Sequence, residues 1–262
     1  MRSKSMPRLQ GKKMFESPGT TPERELRETL TAAIKKRSSG SSRSRQTDIG
    51  PSEVGEQCVR KLSYRMLGWE KTNTDTDPWA STSGTAIHAY LADVFKRDND
   101  KKNPRWIIET KVQVTPNLAG SVDLFDTQLG MVIDHKCVGA TSMKKARESG
   151  PTWQQLVQLN LYAYGFKQLG YDVKNIALAF YPFGGFLTGS NGLHTWVGDY
   201  DEQIALDAIS RLDNIKTLVA TLDPEANPDR WSLIPATPSY LCSWCPWFVP
   251  ESTDLSKGCG KQ

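Results

Sequence analysis

No stretch of the chain reaches the roughly 18 apolar residues that a membrane span requires. The longest candidate, residues 176–187, is short and is broken by Pro182, Gly184 and Gly185. The N-terminus is basic but lacks the apolar run of a secretory signal. Cysteines number five, and an odd count argues against a disulfide framework and for a reducing compartment. No internal repeat is visible. These absences lead us to expect a cytoplasmic protein.

Acidic residues are scarce at the front of the chain. Residues 1–45 hold twelve Lys/Arg against four Asp/Glu, leaving 21 of the 33 basic and 25 of the 29 acidic residues to the remainder. The formal net charge of +4 therefore hides a basic arm joined to a mildly acidic body. A basic arm favours a polyanionic partner through counterion release, and a merely solubilising tail fits the same composition. Residues 1–19 show little periodicity and are expected to be disordered. Thr20 or Thr21, then Pro22 and Glu23, signals a helix start. Glu23, Glu25 and Glu28 occupy its first turns and Lys35, Lys36 and Arg37 its last, an order that complements the helix dipole. Ser38 to Ser44 reads as a flexible linker. We place the domain boundary near 47, giving an arm over 1–47 and a body over 48–262.

The body opens with a helix start at Pro51 leading towards Cys58 and Leu67. A polar loop is expected over 70–82. Apolar residues at 87, 91, 94 and 95 predict an amphipathic helix from Gly84 to Arg97, with His88 beside the apolar stripe. Trp106–Val114 reads as a strand. Residues 152–169 predict a second amphipathic helix on which Gln158 and Tyr162, four apart, share a face. Asn175–Tyr181 and Leu193–Val197 read as strands and 201–222 as a helix. This order predicts an α/β fold with a central mixed sheet flanked by helices.

Chemistry concentrates in residues 118–138. Two runs of β-formers, 119–125 and 131–138, flank a turn-prone stretch from Asp126 to Gly130, which predicts a hairpin with a loop of about five residues. With the preceding strand this makes a three-strand meander. Alternation puts Asp134 and Lys136 on one face, and hairpin pairing brings Asp123 opposite them. Two carboxylates and a lysine suit a hard divalent cation and a water-orienting ammonium. An ion pair between Asp134 and Lys136 on a solvated face fits the same spacing. Cys137 has the opposite parity and is expected to face the core. Glu109, on the preceding strand, could reach the site.

A second constellation lies in the tail. Cys242-Ser243-Trp244-Cys245-Pro246 is a C-x-x-C step and Cys259 follows fourteen positions later, with Cys58 far upstream. Four thiolates are the usual complement of a structural zinc or an iron–sulfur cluster, and spacing does not separate the two.

Together these residues resemble the PD-(D/E)xK nuclease superfamily, and within it the RecB-like branch of iron–sulfur exonucleases found in CRISPR-associated and phage-encoded proteins. The matching pieces run in the family's order over 58–259. They are Cys58, then Gly84-Thr85-Ala86-Ile87-His88 for the G-x-x-x-H helix, and Gly120-Ser121-Val122-Asp123 for the G-x-x-D strand. Asp134-His135-Lys136 follows for the (D/E)-x-K strand, Gln158-Leu159-Asn160-Leu161-Tyr162 for the Q-x-x-x-Y helix, and last the cysteine trio. Two departures stand out: the thirteen residues between Cys245 and Cys259 exceed the family's short gap, and Asp134 stands where glutamate is more usual.

The resemblance implies a restriction-endonuclease-like core with a C-terminal cysteine-bound cluster region. By it, His88, Asp123, Asp134 and the backbone carbonyl of His135 would bind Mg2+ or Mn2+. Lys136 would position the attacking water, and Gln158 and Tyr162 would contact DNA or brace the lysine. Cys58, Cys242, Cys245 and Cys259 would hold a [4Fe-4S] cluster, with Zn2+ as the alternative. The implied activity is metal-dependent exonuclease hydrolysis of single-stranded DNA or DNA with free ends, in phage-type recombination, replication or end processing within the host cytoplasm. A homo-oligomer or a phage recombination or replication partner fits this picture. A non-catalytic or partner-dependent nucleic-acid-binding module is the alternative function.

Overall fold

The computed structural model describes residues 21–39, 49–74 and 77–260. The expectation of disorder over 1–19, and most of the linker expected over 38–44, lie outside them. The chain divides into two compact units, 1–45 and 46–262. In the first, α1 runs from Thr21 to Ser39, so Ser38 and Ser39 extend the helix instead of opening the linker. Among the described residues no helix is long and apolar enough to cross a membrane.

In the second unit, the helix start at Pro51 resolves into two short helices, α2 (Pro51–Val54) and α3 (Val59–Met66), the latter N-capped by Cys58. Then come α4 (Trp79–Asp98), β1 (Trp106–Thr115), β2 (Leu118–Asp126), β3 (Met131–Val138), α5 (Ala140–Ser149), α6 (Trp153–Gln168), β4 (Asn175–Pro182), β5 (His194–Asp199) and α7 (Glu202–Leu222). The sheet order is β1-β2-β3-β4-β5. β1–β2, β2–β3 and β4–β5 pair antiparallel, while β3 and β4 are parallel. The expected mixed sheet flanked by helices is what forms. Helix α4 begins five residues before the expected Gly84, and α5 was not foreseen.

The hairpin turns at Gly130, whose φ of +62° and lack of a side chain let Asp172 O approach to 2.5 Å of where a Cβ would sit. Helix α6 starts with a reciprocal cap: Thr152 Oγ1 accepts from Gln155 N, and Gln155 Oε1 accepts from Thr152 N. It is not amphipathic as expected. Leu159, Tyr162, Ala163 and Phe166 pack on the sheet, while Val157 and Leu161 pack towards α2 and α7. With both flanks covered, α6 is the central helix of the body. Helix α7 applies Ala205, Ala208, Leu212, Ile215 and Val219 at helical spacing. The tail packs beneath α3 through Tyr64, Trp231, Ile234 and Trp247. Trp244, by contrast, is exposed.

Candidate active site and cysteine centre

The sheet's alternation breaks where the chemistry sits. Val112 and Val122 face the α6 side, and so do Ile107 and Phe125. Each strand has an odd separation between its two core residues, so strict alternation cannot serve both. The reset falls at Glu109 and Asp123. The ladder pairs Ile108 with Leu124 and Thr110 with Val122, and Glu109 between them adopts φ +46°.

β2 and β3 pair only through Leu124–Ile133, Phe125–Val132 and Asp126–Met131. Beyond Leu124 the Asp123 carboxylate takes over from the ladder: Oδ2 accepts from the His135 amide at 2.7 Å. Its Oδ1 lies 3.2 Å from His88 Nδ1 on α4. Burial alone would raise the Asp123 pKa, but the His88 contact and the His135 amide hold it below the ordinary carboxylate range. The same contact, opposed by burial, raises His88.

On the α6 side, Asp134 is only 3% exposed. Lys136 Nζ lies 2.6 Å from its Oδ2, an ion-pair approach without hydrogen-bond direction. Gln158 Nε2 donates to Asp134 Oδ1 at 2.9 Å, Lys136 Nζ donates to Gln158 Oε1 at 3.3 Å, and the Tyr162 hydroxyl lies 3.4 Å from Gln158 Nε2. Burial raises the Asp134 pKa; Lys136 opposes and the charge of Asp123 adds. This is not a solvated surface pair. The face assignment of β3 is also the reverse of the one expected for Cys137. Asp134 points to the core side with Val132, while Cys137 lies half-buried on the opposite face.

His135 projects towards α4, stacked on Phe95 with ring centroids 5.6 Å apart and edge-on to His88 and Tyr181. Burial pushes its pKa down to about 4. Glu109 joins this side. His88, Glu109 and Asp123 each offer a ligand atom, all within 4.8 Å of one another, the one such trio among the described residues. The sequence placed Glu109 on the neighbouring strand but gave no sign of the backbone distortion there; the side chain stays exposed, at the open edge of the trio. Two carboxylates and an imidazole at that spacing form a candidate divalent-metal site.

At the other end of α3, Cys58, Cys242, Cys245 and Cys259 all line one cavity of ≈70 Å³. The long gap before Cys259 loops out. Cys259 N donates to Trp247 O at 2.7 Å, and Val249 N to Cys259 O at 3.0 Å, so the last cysteine returns beside the C-x-x-C turn. Arg60 donates to Cys259 Sγ at 3.7 Å and the Ser239 amide to Cys242 Sγ at 3.4 Å. Burial raises the Cys245 thiol. No three of these four sulfurs lie mutually within 4.8 Å.

A family profile described as the PD-(D/E)XK nuclease superfamily matches residues 51–248. The chain belongs to that superfamily. Comparison with curated protein sequences gives no match. Among solved structures, it is similar to an alkaline exonuclease from Laribacter hongkongensis, with 14% identity, coverage of 76% of this chain and 97% of that one, and a TM-score of 0.47. It is also similar to a phage-related exonuclease from Haemophilus somnus, with 11% identity, coverage of 69% and 96%, and a TM-score of 0.49. The five-stranded mixed sheet with its flanking helices is the restriction-endonuclease-like core of the superfamily.

Proposed function

We propose that this nuclease-superfamily member is a divalent-cation-dependent DNA exonuclease, hydrolysing phosphodiester bonds of single strands or free ends in phage-type recombination, replication or end processing. One observation carries the reading: Lys136 is held between Asp134 and Gln158, while the His135 amide, one residue from each motif side chain, is bonded to Asp123. A structural sheet has no need of two carboxylates and a lysine gathered around one backbone amide.

The donor set is carboxylate and carbonyl oxygen with one imidazole, which fits Mg2+ or Mn2+. His88, Asp123, Asp134 and the His135 carbonyl would hold the ion. When bound there, such a cation lowers the pKa of a coordinated water and offsets charge on the scissile phosphate. Lys136 has three donors; one is directed at Gln158, the ammonium charge rests against Asp134, and a remaining donor would orient the attacking water. Gln158 locks the lysine against the buried carboxylate, and Tyr162 braces Gln158 from the next turn of α6.

The cysteine centre is read as a [4Fe-4S] site held by Cys58, Cys242, Cys245 and Cys259. A lone zinc, with Zn–S near 2.3 Å, would draw its sulfurs to about 3.8 Å from one another. Either group takes four thiolates gathered in one cavity, and the resemblance to the iron–sulfur branch selects the cluster. Its role would be to clasp α3 to the C-terminal tail.

End-labelled single- and double-stranded DNA incubated with Mn2+ tests the activity. Native protein is expected to shorten it from an end and Lys136→Ala to leave it intact. Equal loss of DNA with both proteins overturns the assignment and leaves the non-catalytic nucleic-acid-binding module.

A further inference from the structure

We propose that Glu109 joins His88 and Asp123 as a side-chain ligand of the cation, delivered by the distorted point of β1. The inference rests on the nuclease reading above and adds a residue that the D…D-x-K pattern does not contain. A carboxylate oxygen of Glu109, a ring nitrogen of His88 and a carboxylate oxygen of Asp123 all lie within 4.8 Å of one another, close enough for a small closure to place one ion among them. Glu109 is not a glycine, yet it sits at φ +46° inside a strand, a conformation that costs energy and that functional sites tend to retain. Returning it to ordinary strand geometry would swing the side chain away from Asp123.

An independent observation borders the same group. His135 is only 4% exposed, its ring stands edge-on to His88, and its Nδ1 has no hydrogen-bond partner. A buried polar atom without a partner beside three converging ligands points to a group that belongs there. The site then divides its labour. Asp123 and Glu109 with His88 hold the ion from the β1–α4 side, and the Asp134–Lys136–Gln158 group faces it from the α6 side.

The test is Mn2+ binding to the full chain, by titration calorimetry and by the loss of the free-ion electron paramagnetic resonance signal, for native protein, Glu109→Gln and Glu109→Gly. Both variants are expected to bind Mn2+ at least about tenfold more weakly, no less than the loss of a hydrogen-bond partner of a metal ligand costs. Glu109→Gly removes the carboxylate and the strain together, so its thermal midpoint should match or exceed the native value and it guards against misfolding of the glutamine variant. A smaller change in Mn2+ affinity for either folded variant overturns the assignment. Native protein that binds Mn2+ through Glu109 but leaves DNA intact removes the exonuclease reading and keeps this one. Native protein that digests DNA while Glu109→Gln binds Mn2+ normally does the reverse.

Discussion

Lys136 Nζ lies 2.6 Å from Asp134 Oδ2, and the carboxylate it meets is sealed between β3 and α6. The lysine therefore has a structural duty that can be separated from its chemical one. Burial already lifts the Asp134 pKa, and Lys136 holds it down. In metal-free Lys136→Met the folded pKa rises further above the unfolded value near 3.9. A raised carboxyl pKa gives stability that is present below the unfolded value and lost as pH rises through the folded one. The variant should thus match native protein near pH 4 and fall about 3 kcal/mol below it at pH 8, the scale of a broken buried pair. Urea denaturation in chelator at the two pH values measures this. A loss independent of pH would mean that Asp134 is not ionised beside the lysine.

The two motif glycines serve different ends. A Cβ on Gly120 would sit 2.8 Å from Pro51 Cδ and 3.0 Å from Tyr162 Cε1, whereas a Cβ on Gly84 meets nothing within 4 Å. Gly120→Ala is expected to cost about 1–3 kcal/mol by overpacking and, by displacing Tyr162, to reduce DNA hydrolysis. Gly84→Ala should stabilise α4 by about 0.5–1 kcal/mol through helix propensity. Thermal midpoints of the two variants decide the matter. Equal and opposite signs from those given would show that Gly84 packs against something and Gly120 does not.

These contrasts show what the chain made legible. The hairpin from Leu118 to Val138 was readable because period-two alternation and a Gly130 turn are local signals. The i,i+4 placement of Gln158 and Tyr162 was readable for the same reason. Helix α5 was not, since Met143 and Ala146 are too few apolar residues to announce a buried face. The two-sided burial of α6 depends on α7 and α2 arriving from distant sequence, so periodicity announced a one-sided helix although Gln158 and Asn160 are both buried. The alternation reset at Glu109 and Asp123 lies furthest from sequence. It is a backbone distortion shared by two strands, and no residue type marks it.

Asp126, at the end of β2, is a carboxylate of purely architectural use. It is 1% exposed and accepts from Arg105 Nε at 3.1 Å and from the Gln128 and Leu129 amides at 3.0 and 3.2 Å. Burial pushes its pKa up, but these donors together hold it below the ordinary value. A depressed folded pKa gives stability that is present above the unfolded value near 3.9 and lost as pH falls through the folded one. Native protein should therefore lose stability below about pH 4, and Asp126→Asn should show a shallower loss over that interval. Arg105 is partly exposed, so solvent screens the pair. Arg105→Ala should then cost only about 1–2 kcal/mol at pH 7, read from urea midpoints.

The fifth cysteine supplies the internal control for the other four. Cys137 lies on β3, outside the cavity that Cys58, Cys242, Cys245 and Cys259 share. If those four hold an iron–sulfur cluster, protein prepared without oxygen is brown. Cys58→Ser should then lose most of the visible absorption and iron, and Cys137→Ser none. Because Cys58 caps α3 and Cys259 closes the tail, ligand loss should lower the thermal midpoint by several degrees, since binding energy at such a site is folding energy. DNA hydrolysis per folded molecule should change less, because Lys136 and Asp134 belong to the sheet. Colourless native protein carrying one zinc per chain would put a zinc clasp in place of the cluster. Equal behaviour of Cys58→Ser and Cys137→Ser would remove the shared site altogether.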